Sequence, residues 1–166
     1  SKSTTGYLSY VRGPSTRGLA DWGVKGQGST ARHTAEAETT SLDRMTFGSA
    51  IPISLVWEHL LQRELRVIAR EDNEACVAAV RKGFSRKMSY LPRTQKISVA
   101  GLNEFYCGDP DVISDERVSE NAIVGISSVH QLGDFFTKPL PHEKHWELLH
   151  RCGQAPVPRV RGEAKL

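Results

Sequence analysis

The turn signal Gly13-Pro14-Ser15 constrains this chain more than any other short feature. It separates two stretches, 6–12 and 18–24, that the sequence predicts as strands, so the chain is expected to open on an antiparallel hairpin. A Gly-rich connection, "GVKGQGST" (23–30), follows. It has the glycine spacing of a phosphate loop at Gly23 and Gly28, but Ser29 stands where the phosphate-binding lysine is required, and that reading is rejected. A helix is expected from Thr34, read as its N-cap, through Leu42 and Met45 to Gly48-Ser49, breaking or kinking before Pro52. A second helical stretch covers 53–63. "LRVIAR" (65–70) reads as a strand, 73–82 as a helix ended by Gly83, and 94–106 as another helix. An acidic loop (109–120) leads to the apolar strand 122–129, a short helix at 130–137 and a last helix at 142–152. The order β-β-α-β-α-α-β-α-α defines an α/β layered domain, a mixed β-sheet flanked by helices.

At 166 residues, 39% hydrophobic and 25% charged, the chain fits one globular domain, assigned to 1–153, with a basic, Pro-containing tail at 154–166 expected to be disordered. No apolar run approaches a membrane span, and the N-terminal residues lack the apolar block of a signal peptide. Cys76, Cys107 and Cys152 are odd in number and scattered, which argues for an intracellular, reducing compartment and against a disulfide or zinc framework; cytoplasm and nucleus are not distinguished. Because the chain opens on Ser1 rather than methionine, it is read as an internal piece of something longer.

The net charge of +3 matters less than its distribution. From Arg151 onward there are four basic residues and one acid. The segment "RKGFSRKMSYLPRTQK" (81–96) carries Arg81, Lys82, Arg86, Lys87, Arg93 and Lys96 without an acid, interleaved with Phe84 and Tyr90. Such a block can bind a phosphate backbone or can be a solvated loop face.

Three carboxylates sit where elements change. In "HTAEAETTSLDRM" (33–45), Glu36 and Glu38 point roughly 200° apart, because each helical residue turns about 100°. Steps of three, four and seven from Glu38 reach Ser41, Leu42 and Met45, an apolar stripe. The same steps from Glu36 reach Thr39, Thr40 and Asp43. Glu38 is therefore expected to point inward and Glu36 to face solvent, where it favours the helix dipole. Asp72 follows a strand and precedes a helix, so either it or Asn73 is an N-cap, and the position is also where α/β sheets bind ligands. Asp134 falls on the polar face of its short helix and on its own reads as a surface acid. Converging, Glu38, Asp72 and Asp134 would form a hard oxygen-ligand cluster suited to Mg²⁺, and a pair of such ions can activate water in phosphodiester hydrolysis.

Several of these segments resemble a known family. "SKSTTGY" (1–7), "TAEAE" (34–38), "EDNEACVAAV" (71–80), a weakened "RTQKIS" (93–98) and "GDFFTKPLP" (133–141) are similar, in order, to motifs of the ribonuclease H domain in the Pol polyprotein of copia-type LTR retrotransposons. The resemblance spans roughly residues 1–153. It implies a ribonuclease H-like fold and Mg²⁺- or Mn²⁺-dependent cleavage of the RNA strand of an RNA/DNA hybrid during reverse transcription, beside an upstream reverse-transcriptase domain. The family's metal ligands fall on Glu38, Asp72 and Asp134. Arg81, Lys82, Arg86, Lys87, Arg93 and Lys96 become candidates for holding the hybrid, and His130 an auxiliary group in product release.

The departures are specific. The family's first strand, which bears another metal-binding aspartate, has no counterpart here, and Asp21, beside Trp22, is not a substitute. Thr39 replaces an aromatic residue, and 95–98 lose the usual Lys-His-Ile-Asp. The expectation is an impaired nuclease domain with weakened metal binding; the alternative is a non-catalytic nucleic-acid-binding relic of the same fold. The loss of a central strand would also leave exposed sheet edges open to pairing.

Overall fold

Gly13 donates to the carbonyl of Thr16 at 3.0 Å and so closes β1 (Thr4–Arg12) on β2 (Arg17–Gly26), the antiparallel hairpin the turn signal predicts. The computed structural model describes residues 3–28, 30–108 and 121–153. The expected acidic loop 109–120 and the tail 154–166 lie outside the described residues. Pairing shifts register between Ser9 and Tyr10, where β2 carries one extra residue, so the ribbon bends midway.

The helix expected at 34 is α1 (Thr34–Met45), but its cap is His33, whose Nδ1 accepts from Glu36 N at 3.2 Å. Gly48-Ser49 does not break the helix. It widens into a π-helical turn, Thr46–Ala50, and continues as α2 (Ile51–Leu61), whose first turn carries Pro52. β3 is short (Ile68–Glu71). Asn73 caps α3 (Glu74–Lys82), with Oδ1 accepting from Cys76 N at 3.0 Å. Gly83, at φ 72°, supplies the left-handed exit where side-chain-bearing residues are strained. The helix expected over 94–106 divides into α4 (Leu91–Thr94) and α5 (Val99–Cys107), because Lys96 takes φ 60° and Ser98 caps the second piece. β4 (Ala122–Gly125) is half the expected length. A 3₁₀ turn (Ser128–His130), α6 (Asp134–Thr137) and α7 (His142–Arg151) complete the described chain.

The result is a mixed α/β arrangement in which the strands form two small sheets rather than one. Among the described residues β1 pairs only with β2, and β3 pairs in parallel with β4, Ile68 opposite Ala122. The core lies among α1, α3, α5 and the β3–β4 pair: Leu42, Ala69, Cys76, Val77, Val80, Leu102, Tyr106 and Ile123. Each fully buried aliphatic side chain there contributes roughly 1.5–3 kcal/mol. A second cluster, Ala79, Met88, Leu91, Ile97 and Val99, seats the basic segment against the other side of α3.

No residue from Gly6 to Val11 of β1 is buried, and α2 buries none of its residues. Both border a cavity of about 670 Å³ that separates β1 from β3. None of the described helices is long and apolar enough to cross a membrane. Cys76 and Cys152 are buried free thiols and Cys107 is exposed.

Candidate functional site: a carboxylate-lined cavity

Three elements bring the three singled-out carboxylates to one place. Glu38 comes from the first turns of α1, Asp72 from the end of β3, and Asp134 from the start of α6. All three line a cavity of about 580 Å³ together with Gln131 and Lys138. Because Asn73 takes the capping role on α3, Asp72 is left to face the cavity, and Gln131 Nε2 lies 3.5 Å from its Oδ1. Asp134 is held by Lys138, Nζ to carboxylate 2.8 Å.

α6 reaches this position through two glycines. A Cβ on Gly6 would stand 2.7 Å from Thr137 Cγ2 and 3.2 Å from Gly133 O, and one on Gly133 would stand 3.0 Å from Gly6 O. The close approach of the two backbones presses the Asp134 segment onto β1. The stacking of Trp22 on Phe136, with ring centroids 5.6 Å apart, supports the same contact. The helix expected over 130–137 is thus a 3₁₀ turn and a separate short helix. His130 is exposed in the former and its Nδ1 lies 3.2 Å from Arg151 Nη2. It borders the larger cavity, not the carboxylate-lined one.

The cavity is electrostatically unbalanced. Glu38, half-buried, has its pKa raised first by desolvation and then by Asp72, with Asp134 adding to the repulsion and Lys138 opposing it. Lys138 is raised in turn by its hydrogen bond to Asp134, with Asp72 and Glu38 contributing. Among the described residues lining the cavity, three acids thus share one ammonium.

Sequence reasoning missed a fourth acid. Glu71 is 5% exposed and borders the larger cavity. Burial pushes its carboxyl up to about 7, against the N–H of Asn73, which donates to Oε1 at 3.0 Å; the charges of Glu38 and Asp72 add to the rise. The signal was available: β3 alternates, burying Ala69 and Glu71 and exposing Ile68 and Arg70. Ending the strand at residue 70 hid it.

Glu36 is the main correction. It is 2% exposed rather than solvent-facing. Segment 81–96 folds over that face of α1, so that Tyr90 OH (2.6 Å) and Gln95 Nε2 both donate to its carboxylate, while Arg32 N donates at 2.7 Å. Burial alone would raise its pKa, but these hydrogen bonds, Tyr90 foremost, outweigh it and hold the group below the ordinary glutamate value. Thr39 and Thr40 are buried on the same side, with hydroxyls returned to the carbonyls of Ala35 and Glu36.

The donors around the cavity suit Mg²⁺ or Mn²⁺ in kind, being carboxylate oxygens. Their spacing does not close a site: among the described residues, no three His, Cys, Asp or Glu side chains are grouped to hold an ion. Asp21 is not at this cavity; its Oδ2 accepts from Tyr7 OH at 3.1 Å.

Arg81, Lys82, Arg86, Lys87, Arg93 and Lys96 are all exposed, and none forms an ion pair among the described residues. Arg81 donates to the carbonyl of Ile123 at 2.9 Å, and the exit from α3 is fixed by Asn103 Nδ2, which donates to Val80 O and Arg81 O. Comparison with protein-family models, with curated proteins and with solved structures gave no match to the chain.

Proposed function

We propose that the chain is a retrotransposon-derived ribonuclease H-like domain whose ancestral task is hydrolysis of the RNA strand of RNA/DNA hybrids, and that it is impaired in that task. The observation that carries this reading is the convergence of Glu38, Asp72 and Asp134, from three separate elements, on one cavity. The order of motifs in the sequence supports the same assignment. Glu38, Asp72 and Asp134 are the residues that would hold divalent ions; bound there, Mg²⁺ or Mn²⁺ would supply an activated water and charge neutralisation at the scissile phosphate. In the arrangement described, Lys138 takes that neutralising role for Asp134, and desolvation biases Glu38 toward its protonated form. Both effects oppose cation binding.

The test is incubation of the chain with an end-labelled RNA/DNA hybrid and Mg²⁺ or Mn²⁺. Little or no cleavage is expected. Robust cleavage that vanishes in Glu38→Gln would overturn the impairment.

One observation favours a second reading, a non-catalytic nucleic-acid-binding relic of the same fold: the six exposed cations of 81–96, none in an ion pair among the described residues. It requires salt-dependent hybrid or duplex binding that survives Asp72→Asn.

A further inference from the structure

Among the described residues β2 is paired on one side only, by β1. Its other side faces away from β1, and so away from the space between β1 and β3. The register fixes which backbone groups that outer edge presents. Gln27 N donates to Ser3 O at 2.8 Å, one step beyond the Thr4–Gly26 pair. Bonded and non-bonded pairs alternate along an antiparallel ladder, so Lys25, Gly23 and Asp21 bond β1 through Thr5, Tyr7 and Ser9. The N–H and C=O groups of Trp22, Val24 and Gly26 therefore point outward. No proline interrupts residues 17–27.

Side chains on this edge alternate. Asp21, Gly23 and Lys25 take one face of the strand, Trp22 and Val24 the other. Although Trp22 stacks on Phe136, it remains 58% exposed, and Val24 is 45% exposed. Lys25 is exposed, and neither Asp21 nor Lys25 is in an ion pair among the described residues.

The stretch Asp21-Trp22-Gly23-Val24-Lys25 is complementary to itself. Two copies laid antiparallel about Gly23 set Asp21 opposite Lys25 of the second copy, and Trp22 opposite Val24 of the second copy, each twice by symmetry. Trp22 and Val24 then form the hydrogen-bonded pairs, as their outward backbone groups require. Asp21 and Lys25 form the non-hydrogen-bonded pairs, whose side chains lie closer. Gly23 meets itself at the two-fold axis, and the Tyr7 ring fills the place of its side chain, since a Cβ there would stand 2.5 Å from Tyr7 Cε1. Neighbouring registers lose the match. Centring on Asp21 sets that carboxylate against itself, and centring on Trp22 or Val24 leaves Asp21 and Lys25 opposite uncharged residues.

We propose that the outer edge of β2 is a homodimer interface, at which two copies of the chain pair antiparallel about Gly23 and join their hairpins into one four-stranded sheet. The occupant is a second copy because the edge matches itself in both charge and apolar content. The inference stands independently of the nuclease reading.

Sedimentation velocity of the full chain over a concentration series is expected to show a monomer–dimer equilibrium with a Kd of roughly 1–100 µM, weak because a single edge is a small interface. Hydrogen exchange should slow at the amides of Trp22, Val24 and Gly26 as dimer forms, and stay unchanged at Gly23 and Lys25, which already bond β1. Lys25→Asp and Asp21→Lys should each weaken self-association by roughly tenfold or more, while an equimolar mixture of the two should pair again, because each supplies the charge the other lacks. Asp21 also accepts from Tyr7 OH, so a second variant guards against loss of folding. Val24→Pro removes an outward amide, leaves the ladder to β1 intact, and should abolish the dimer with an unchanged circular dichroism spectrum. A chain that stays monomeric to roughly millimolar concentration, or a dimer indifferent to both Lys25→Asp and Val24→Pro, would overturn the proposal.

Discussion

The phenol of Tyr90 donates to Oε2 of Glu36 at 2.6 Å, tying the basic segment to the first helix across 54 positions of sequence. With Arg32 N and Gln95 Nε2 it completes a buried carboxylate whose charge is satisfied by hydrogen bonds rather than by a cation. Glu36→Ala would leave these donors without a partner and is expected to cost about 2–4 kcal/mol, Tyr90→Phe about 1–2 kcal/mol. Chemical denaturation of each variant checks both. Since the folded pKa of Glu36 is lowered, its contribution is complete above the ordinary glutamate pKa and is lost as pH falls through the lowered value.

Glu71 has the opposite sign. Its carboxyl is raised to about 7, so the folded chain binds more protons than the unfolded chain between the ordinary glutamate pKa and about 7. Stability from this residue is present at acid pH and declines as pH rises through that window, by about 3 kcal/mol in all. Glu71→Gln keeps an oxygen for Asn73 N and is expected to flatten this decline and to be the more stable form near pH 8. Urea midpoints of both proteins at pH 5 and pH 8 provide the check.

Gly6→Ala is expected to push α6 off β1. The new methyl would meet Thr137 Cγ2 at 2.7 Å and Gly133 O at 3.2 Å, and the backbone oxygen cannot swing aside. A cost of about 1–3 kcal/mol follows. Trp22 fluorescence should change with it, because Trp22 stacks on Phe136 of the displaced helix.

Lys138→Met removes the ammonium that Asp134 holds at the carboxylate cavity. Lys138 is 54% exposed, so the stability change should stay within about 1 kcal/mol. Mn²⁺ affinity, followed by water-proton relaxation enhancement, should rise by roughly five- to tenfold, since Asp134 and Glu38 would then lack a competing cation. An unchanged or lower affinity would show that the carboxylates do not act on a common ion.

Much of this arrangement is legible in local chemistry. Gly13-Pro14-Ser15 announces the hairpin and Gly83 the end of α3, whereas the spacing of Glu38, Asp72 and Asp134 does not by itself establish that they line one cavity. What local patterns miss depends on distant segments. Glu36 reads as a surface acid because its helix face is polar, and only the return of Tyr90 and Gln95 from more than fifty residues away buries it. Gly48 reads as a break, yet Thr46 donates to Leu42 O and bonds Tyr106 OH at 2.7 Å, holding the wide turn inside a continuous helix. The mixed sheet expected from the element order divides into two pairs because no described strand occupies the space between β1 and β3.

The most direct measurement is a single titration of labelled RNA/DNA hybrid with the chain in Mg²⁺ at two salt concentrations, resolved both as bound fraction and as cleaved strand. The hybrid is expected to be bound at low salt, released as salt rises, and left intact, with binding weakened when Arg86, Lys87, Arg93 and Lys96 are neutralised. No binding at low salt, or efficient cleavage that depends on Glu38, would contradict the proposed function.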